Sequence, residues 1–263
     1  MNTKTVAVGL IIILLFVTEI GCRGKKVEMN LDTTASDEAL FKMGQESMKK
    51  DPERARIYFR QVIDSFPKSI FAERAKLAIA DSYFNKREEG NMILAAAEYR
   101  EFINLYPLSP SVAYAQYQVA MTYFSNILKP GRDQTKTQQA LVEFKKVSAN
   151  YPLSEEAKGS QQHVKECEER LAAHEYGIAY HYYKTSALKA ATARFLEILT
   201  QYPSYSKMEE VYFYLADAYF LSGQAEKSMP FFTKVVSDYP KIKLAKKAQE
   251  RLVEINAKAS EKK

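Results

Sequence analysis

The sequence predicts an all-α solenoid of about five helix pairs, closed by a C-terminal capping helix. One phrase recurs five times, an aromatic eight residues ahead of a proline that itself follows an aromatic: FRQVIDSFP, YREFINLYP, FKKVSANYP, FLEILTQYP and FTKVVSDYP. The leading aromatics are Phe59, Tyr99, Phe144, Phe195 and Phe232, and the prolines are Pro67, Pro107, Pro152, Pro203 and Pro240. Proline lacks an N–H and clashes with the preceding turn, so each marks where an amphipathic helix has to stop. The prolines are 40, 45, 51 and 37 residues apart, a period that belongs to stacked helical units. Composition agrees with one such array. The 263 residues include 18 Tyr and 14 Phe but only nine Gly and nine Pro, which leaves little room for long irregular regions, and no strand-like alternation stands out.

The units can be taken in order against the tetratricopeptide pattern, whose period is about 34 residues. Leu40, Met43 and Gly44 on a first helix, with Ala55 and Phe59 on a second, make a slightly short first unit. Ile79, Ala80 and Tyr83, then Ala95 and Tyr99, make the second, around a polar REEGN insertion. In the third, Val119, Ala120 and Tyr123 are separated from Ala140 and Phe144 by NILKPGRDQTKTQ, the longest insertion, where Pro130-Gly131 predicts a turn. In the fourth, Ile178, Ala179 and Tyr182 precede Ala191 and Phe195 with no extra loop. Its length is expected in one long first helix starting at Ser154, where SEEA supplies an N-cap and an acidic first turn. The fifth fits without adjustment: Tyr212, Leu215, Ala216 and Tyr219, then Ser228 and Phe232 before Pro240. Spacings of three and four put each set on one helix face. The small residues let the paired helix approach, and the large ones fill the space between helices.

The stretch after Pro240, KIKLAKKAQERLVEINAKASEKK, carries apolar Ile242, Leu244, Ala245, Ala248, Leu252 and Ile255 among many lysines. A helix that caps the last unit and shows a solvated Lys face explains it. The same helix docking an acidic partner or anionic headgroups is the sharper alternative, and the two are compatible.

At the other end, Lys4 precedes VAVGLIIILLFV, too short for the roughly 20 residues of a membrane-spanning helix and suited to a secretory signal peptide. The Gly21-Cys22 pair that follows resembles the lipobox at which bacterial lipoproteins are cleaved and acylated, although Glu19 stands where that motif has an apolar residue. The expected organisation is residues 1–21 as signal peptide, 22–36 as a flexible tether after a lipidated Cys22, and 37–263 as the repeat array, its units ending near 67, 107, 152, 203 and 240. Arg23 after the cysteine is not the aspartate that retains lipoproteins in the inner membrane, so the outer membrane is the expected destination.

Net charge is +6, too dispersed to predict a nucleic-acid partner. Cys167 has no cysteine partner once Cys22 is assigned to lipid, so no structural disulfide is expected. His163, Cys167, His174 and His181 fall near one face of a continuous helix. The rise of about 1.5 Å per residue leaves only His163 and Cys167 close enough to share an ion, and two ligands are too few for structural zinc. No metal or other cofactor is expected. Phosphate loops, GxSxG, HExxH and dinucleotide glycine patterns are all missing, so no catalysis is expected.

The stretch from Arg132 to Pro203 carries RDQT, YPLS, RLAAHEYGIAYHYYK and AATARF followed by YP. With the Gly-Cys pair and five repeats, it resembles the BamD family of outer-membrane assembly lipoproteins over nearly the whole mature chain. The resemblance implies a non-catalytic lipoprotein on the periplasmic face of the outer membrane. It would belong to the complex that folds and inserts β-barrel proteins, with other assembly lipoproteins among its neighbours. Its C-terminal repeats would bind the BamA barrel subunit, and its N-terminal repeats would capture unfolded barrel proteins. For that capture Phe71, Arg74, Tyr83 and Tyr114 are candidates, each of which repeat packing also explains.

Arg132, Asp133 and Gln134 match the family's RDQ. Asp133 is expected to cap the following helix and Arg132 to pair locally, or both to touch a partner. His174, Glu175 and Tyr176 match its HEY phrase, and the expectation is that they brace the long helix against Arg194 through a partly buried ion pair. Two other readings compete. A periplasmic tetratricopeptide scaffold that coordinates Tol-Pal or peptidoglycan synthesis shares the aromatic-proline phrase, but this chain lacks its usual N-terminal coiled coil. A lipid-anchored enzyme would need a catalytic domain for which too few residues remain after Pro240.

Overall fold

The computed structural model describes residues 35–261, so the signal peptide, Cys22 and most of the proposed tether lie outside the described residues. Among the described residues there are eleven helices and no strand: α1 Asp37–Ser47, α2 Pro52–Ser65, α3 Ile70–Phe84, α4 Glu89–Leu105, α5 Val112–Phe124, α6 Thr135–Asn150, α7 Glu155–Lys184, α8 Leu188–Gln201, α9 Met208–Leu221, α10 Ala225–Asp238 and α11 Lys243–Glu261. Each packs on the helices before and after it in sequence, giving a tetratricopeptide-like solenoid of five pairs plus a terminal helix. Beyond these neighbours, α1 touches α3, α5 touches α7, α7 touches α9 and α9 touches α11. Contacts that skip a helix thus fall between first helices of successive units.

The repeated phrase ends every second helix in the same way. The residues before the prolines, Phe66, Tyr106, Tyr151, Tyr202 and Tyr239, all adopt φ between −125 and −133° and ψ between 49 and 59°. A following proline disfavours the helical region for its predecessor, so the helix stops there, and each of these five N–H groups still reaches the carbonyl four residues back. On the same helices Phe59, Tyr99, Phe144, Phe195 and Phe232 are fully buried. So are the small residue four before each (Ala55, Ala95, Ala140, Ala191, Ser228) and the apolar residue three after it (Val62, Phe102, Val147, Ile198, Val235). This stripe is the core of every unit. Burying one such large side chain stabilises the fold by about 1.5–3 kcal/mol.

On the first helices Gly44, Ala80, Ala120, Ala179 and Ala216 form the facing row of small residues, all buried. Gly44 is the tightest of them, because a Cβ built there would sit 2.4 Å from Cε1 of Phe59.

Two expected insertions are shorter than they read. Glu89, Gly90 and Asn91 of REEGN form the first turn of α4, and Thr135–Gln138 open α6. The residual bend at the first site is taken by Arg87, which adopts a left-handed φ of 59°. Pro130 and Gly131 occupy the centre of a turn closed by the Arg132 N–H on the Lys129 carbonyl at 3.0 Å.

The length of the fourth unit resides in α7, a single helix of 30 residues, about 45 Å long. Ser154 caps it by accepting from the Ala157 N–H at 3.1 Å, with Glu155 and Glu156 in the first turn and His181 and Lys184 in the last. Cys167 in its first half joins Ala120, Ala140 and Phe144 of the third unit. Ala172 and Ala179 in its second half pack with Ala191, Phe195 and Ile198 of the fourth. α11 buries Ala245, Ala248 and Ile255 against Phe213, Phe232 and Val235 and so closes the last unit. Among the described residues no helix is long and apolar enough to cross a membrane.

Candidate partner-binding site

The loop between α5 and α6 folds onto the middle of α7. Arg170 donates from Nη1 to the Leu128 carbonyl at 2.7 Å, and His174 Nδ1 meets the Pro130 carbonyl at 2.6 Å. A carbonyl only accepts, so Nδ1 carries a proton. Gln134 staples the loop from within: its Nε2 donates to the carbonyls of Lys129 at 2.9 Å and Arg132 at 3.0 Å, and its Oε1 accepts from the Thr137 hydroxyl at 2.8 Å. It is buried, and its contacts are those of a loop former.

Asp133 does not occupy the N-cap of α6; Gln134 does, without a side-chain cap bond. Asp133 stands one residue earlier, where its carboxylate accepts from the Thr135 N–H at 3.1 Å and from the Thr135 hydroxyl at 3.0 Å. The first turn is thus held by an Asx-type bond. The expected local ion pair of Arg132 is not formed among the described residues, and its side chain is exposed. Arg132, Asp133, Leu171, His174, Glu175 and Tyr202 line an open cavity of about 460 Å³. Two motifs some 40 residues apart in sequence therefore meet at one surface.

Glu175 borders that cavity and pairs with Arg194 of α8, Nη1 to Oε2 at 3.3 Å; the same Nη1 reaches Glu197 at 3.1 Å. The side chains of Arg194 and Glu175 are 42% and 26% exposed, so the pair is partly shielded from solvent. It joins α7 to α8 within one helix pair. Tyr176 points elsewhere. It donates to Glu210 of α9, stacks on Tyr180 at 5.9 Å, and burial together with the Glu210 charge holds its phenol well above the ordinary range. The HEY phrase is thus divided, with His174 and Glu175 facing the loop cavity and Tyr176 facing the fifth unit.

The four aromatic and basic candidates of the N-terminal half also divide. Phe71 packs against Phe41 with centroids 5.4 Å apart, and exposed Arg74 lies over both rings at 4.8 and 5.5 Å. These two remain at the surface of α3. Tyr83 and Tyr114 are engaged between units. The Arg56 guanidinium covers the Tyr83 ring at 4.3 Å, and Arg60 donates to its hydroxyl at 3.4 Å. Tyr114 donates to Asp81 at 3.0 Å beside the Tyr99 hydroxyl at 2.6 Å. Burial raises the Asp81 carboxyl above its ordinary value, and the two phenols partly offset this. Burial and the Asp81 charge push the Tyr114 phenol up to about 12.

A second aromatic group escaped the sequence reading. Tyr180 and Tyr183 of α7 and Tyr214 of α9 gather beside Lys184 and Lys247. The signal was present in YHYYK and VYFYLADAY, but the same spacing also serves helix packing.

Stacked helix pairs with open, charged junctions and no strand among the described residues define a repeat scaffold of the tetratricopeptide type. The chain belongs to the YfiO family of outer membrane lipoproteins, whose pattern it matches over residues 33–229. The outer membrane protein assembly factor BamD of Caulobacter vibrioides is 29% identical over 224 residues, 84% of this chain and 72% of that protein. That of Rickettsia prowazekii is 26% identical over 233 residues, 85% of this chain and 87% of that protein. Among solved structures, the TPR2AB domain of yeast Sti1 with pHSP90 aligns over 85% of this chain and 86% of that one, at 11% identity and a TM-score of 0.43.

Proposed function

We propose that the chain is a non-catalytic scaffold of outer-membrane β-barrel assembly, anchored by lipid at Cys22 on the periplasmic side. In this reading it binds a BamA-like barrel subunit through its C-terminal repeats and unfolded barrel proteins through its N-terminal ones. The observation that carries the reading is the likeness to relatives named as outer membrane protein assembly factor BamD, which extends over 84% of the chain in the first of them. The geometry supports it. Exposed Arg132 and Asp133, with His174 and Glu175, present hydrogen-bonding groups of both signs at one cavity, which suits a folded, polar partner surface. Phe71 and Arg74 offer an aromatic and a cation to an extended segment.

Gentle detergent extraction of the tagged full chain from its native envelope, followed by mass spectrometry of what copurifies, tests this. A barrel subunit in near-stoichiometric amount is expected, and Cys22→Ala should release the chain from the membrane fraction. Recovery of Tol-Pal or peptidoglycan-synthesis components with no barrel subunit would overturn the reading.

A further inference from the structure

The basic C-terminal helix packs through one face only. While Ala245, Ala248 and Ile255 close the core, Lys247 and Arg251 border a cavity of about 570 Å³ between α7, α9 and α11. That size lies in the range of pockets that enclose a small ligand, and it accommodates one large side chain with its backbone. The wall is aromatic. Tyr180 and Tyr183 lie 4.9 and 5.0 Å from the Tyr214 ring and 6.1 Å from each other. Burial, followed by the neighbouring Tyr180, pushes the Tyr214 phenol up to about 12, so its hydroxyl stays neutral in any physiological medium.

The acids beside the wall are mostly engaged. Asp217, 4% exposed, accepts from the Tyr183 hydroxyl at 2.6 Å and from Arg251 Nε at 3.0 Å. Glu254 takes Arg251 at 3.2 Å and Lys258 at 2.7 Å. Lys184 on α7 and Lys247 on α11 are exposed and line the same cavity, and neither forms an ion pair among the described residues. Glu250 is the one acid there left unpaired, so the free charge at the rim is net positive.

Tilted rings leave a berth for a further aromatic ring, and free ammonium groups beside it select carboxylates. We propose that this cavity takes an aromatic side chain carried on an acidic internal segment of a protein partner. The ring enters among Tyr180, Tyr183 and Tyr214, and the flanking carboxylates meet Lys184 and Lys247. The inference goes beyond the assembly role and holds whichever machinery the chain serves, since it rests on the chemistry of the pocket.

The test is fluorescence anisotropy with the detergent-solubilised full chain. The probe is a fluorescein-labelled, C-terminally amidated Gly-Ser peptide with a central Asp-Phe-Glu. Binding is expected, with loss on changing the peptide Phe to Ala and about tenfold weakening by the double charge reversal Lys184→Glu and Lys247→Glu. Both lysines are exposed, so the variant keeps the fold, and circular dichroism confirms it. Absence of binding to the unaltered chain, or equal binding by the charge-reversed chain, would overturn the proposal. Tighter binding of a peptide ending in Phe with a free carboxylate would overturn the assignment to an internal segment. None of these outcomes depends on which proteins copurify with the chain.

Discussion

Arg251 of α11 reaches back to Asp217 of α9, Nε to carboxylate at 3.0 Å, and its guanidinium lies 4.5 Å from the centre of the Phe220 ring. The other carboxylate oxygen takes the Tyr183 hydroxyl of α7. One buried acid thus ties α7, α9 and α11 together. Changing Arg251 to Leu would leave that acid without its cation, and the expected destabilisation is about 1–3 kcal/mol. Amide hydrogen exchange should show it as faster exchange in α10 and α11, with α2 to α5 unchanged. Protection unaltered throughout would mean that the pair does not hold the cap.

Gly44→Ala should destabilise the first unit even though four other units carry alanine at the equivalent place. A methyl there meets the Phe59 ring at 2.4 Å, and Phe59 is fully buried, so it has nowhere to move without overpacking. A loss of about 1–3 kcal/mol is expected from urea unfolding. Adding Phe59→Leu to the alanine variant should recover part of it, because a smaller side chain opens the contact. A single variant as stable as the parent would show that the first unit is looser than its packing indicates.

The Asp81 carboxyl, raised by burial between Tyr99 and Tyr114, gives the second unit a defined pH response. A carboxyl whose folded value exceeds its unfolded value takes up its proton more readily when folded. Its favourable contribution is therefore complete below the unfolded value of 3.8 and is lost as pH rises through the folded one. The stability difference between the unaltered chain and Asp81→Asn should accordingly shift in favour of Asp81 as pH falls from 7 toward 4. A difference independent of pH would rule out this carboxyl as the titrating group.

For Arg194 the expectation separates fold from function. Its pairs with Glu175 and Glu197 are half exposed, so Arg194→Leu should change stability by less than about 1 kcal/mol. The proposed partner surface predicts a larger effect on retention of the barrel subunit in pull-downs. Measuring both on one preparation decides the matter, since a variant unchanged in both respects would have neither role.

The repeat core was legible because it obeys two simple rules, a proline that stops a helix and a face spaced by three and four. The same rules hid the surface. Tyr114 and Tyr180 look alike in sequence, yet the first spends its hydroxyl on Asp81 and the second lines a cavity, because the outcome depends on which residue the neighbouring helix presents. Gln134 and Arg132 sit two residues apart in one motif, and only the closed loop shows that one faces inward and the other outward. The HEY phrase reads as a single unit, but helical geometry turns Tyr176 about 100° from Glu175 and so to another neighbour.

A solenoid of separable units ordinarily unravels one unit at a time from its weaker end. In this chain the third and fourth units share α7, with Cys167 in the core of one and Ala172 in the core of the next. Parting them would mean breaking an uninterrupted helix of about eight turns. The third and fourth units are therefore expected to melt together, because α7 splints the array across them.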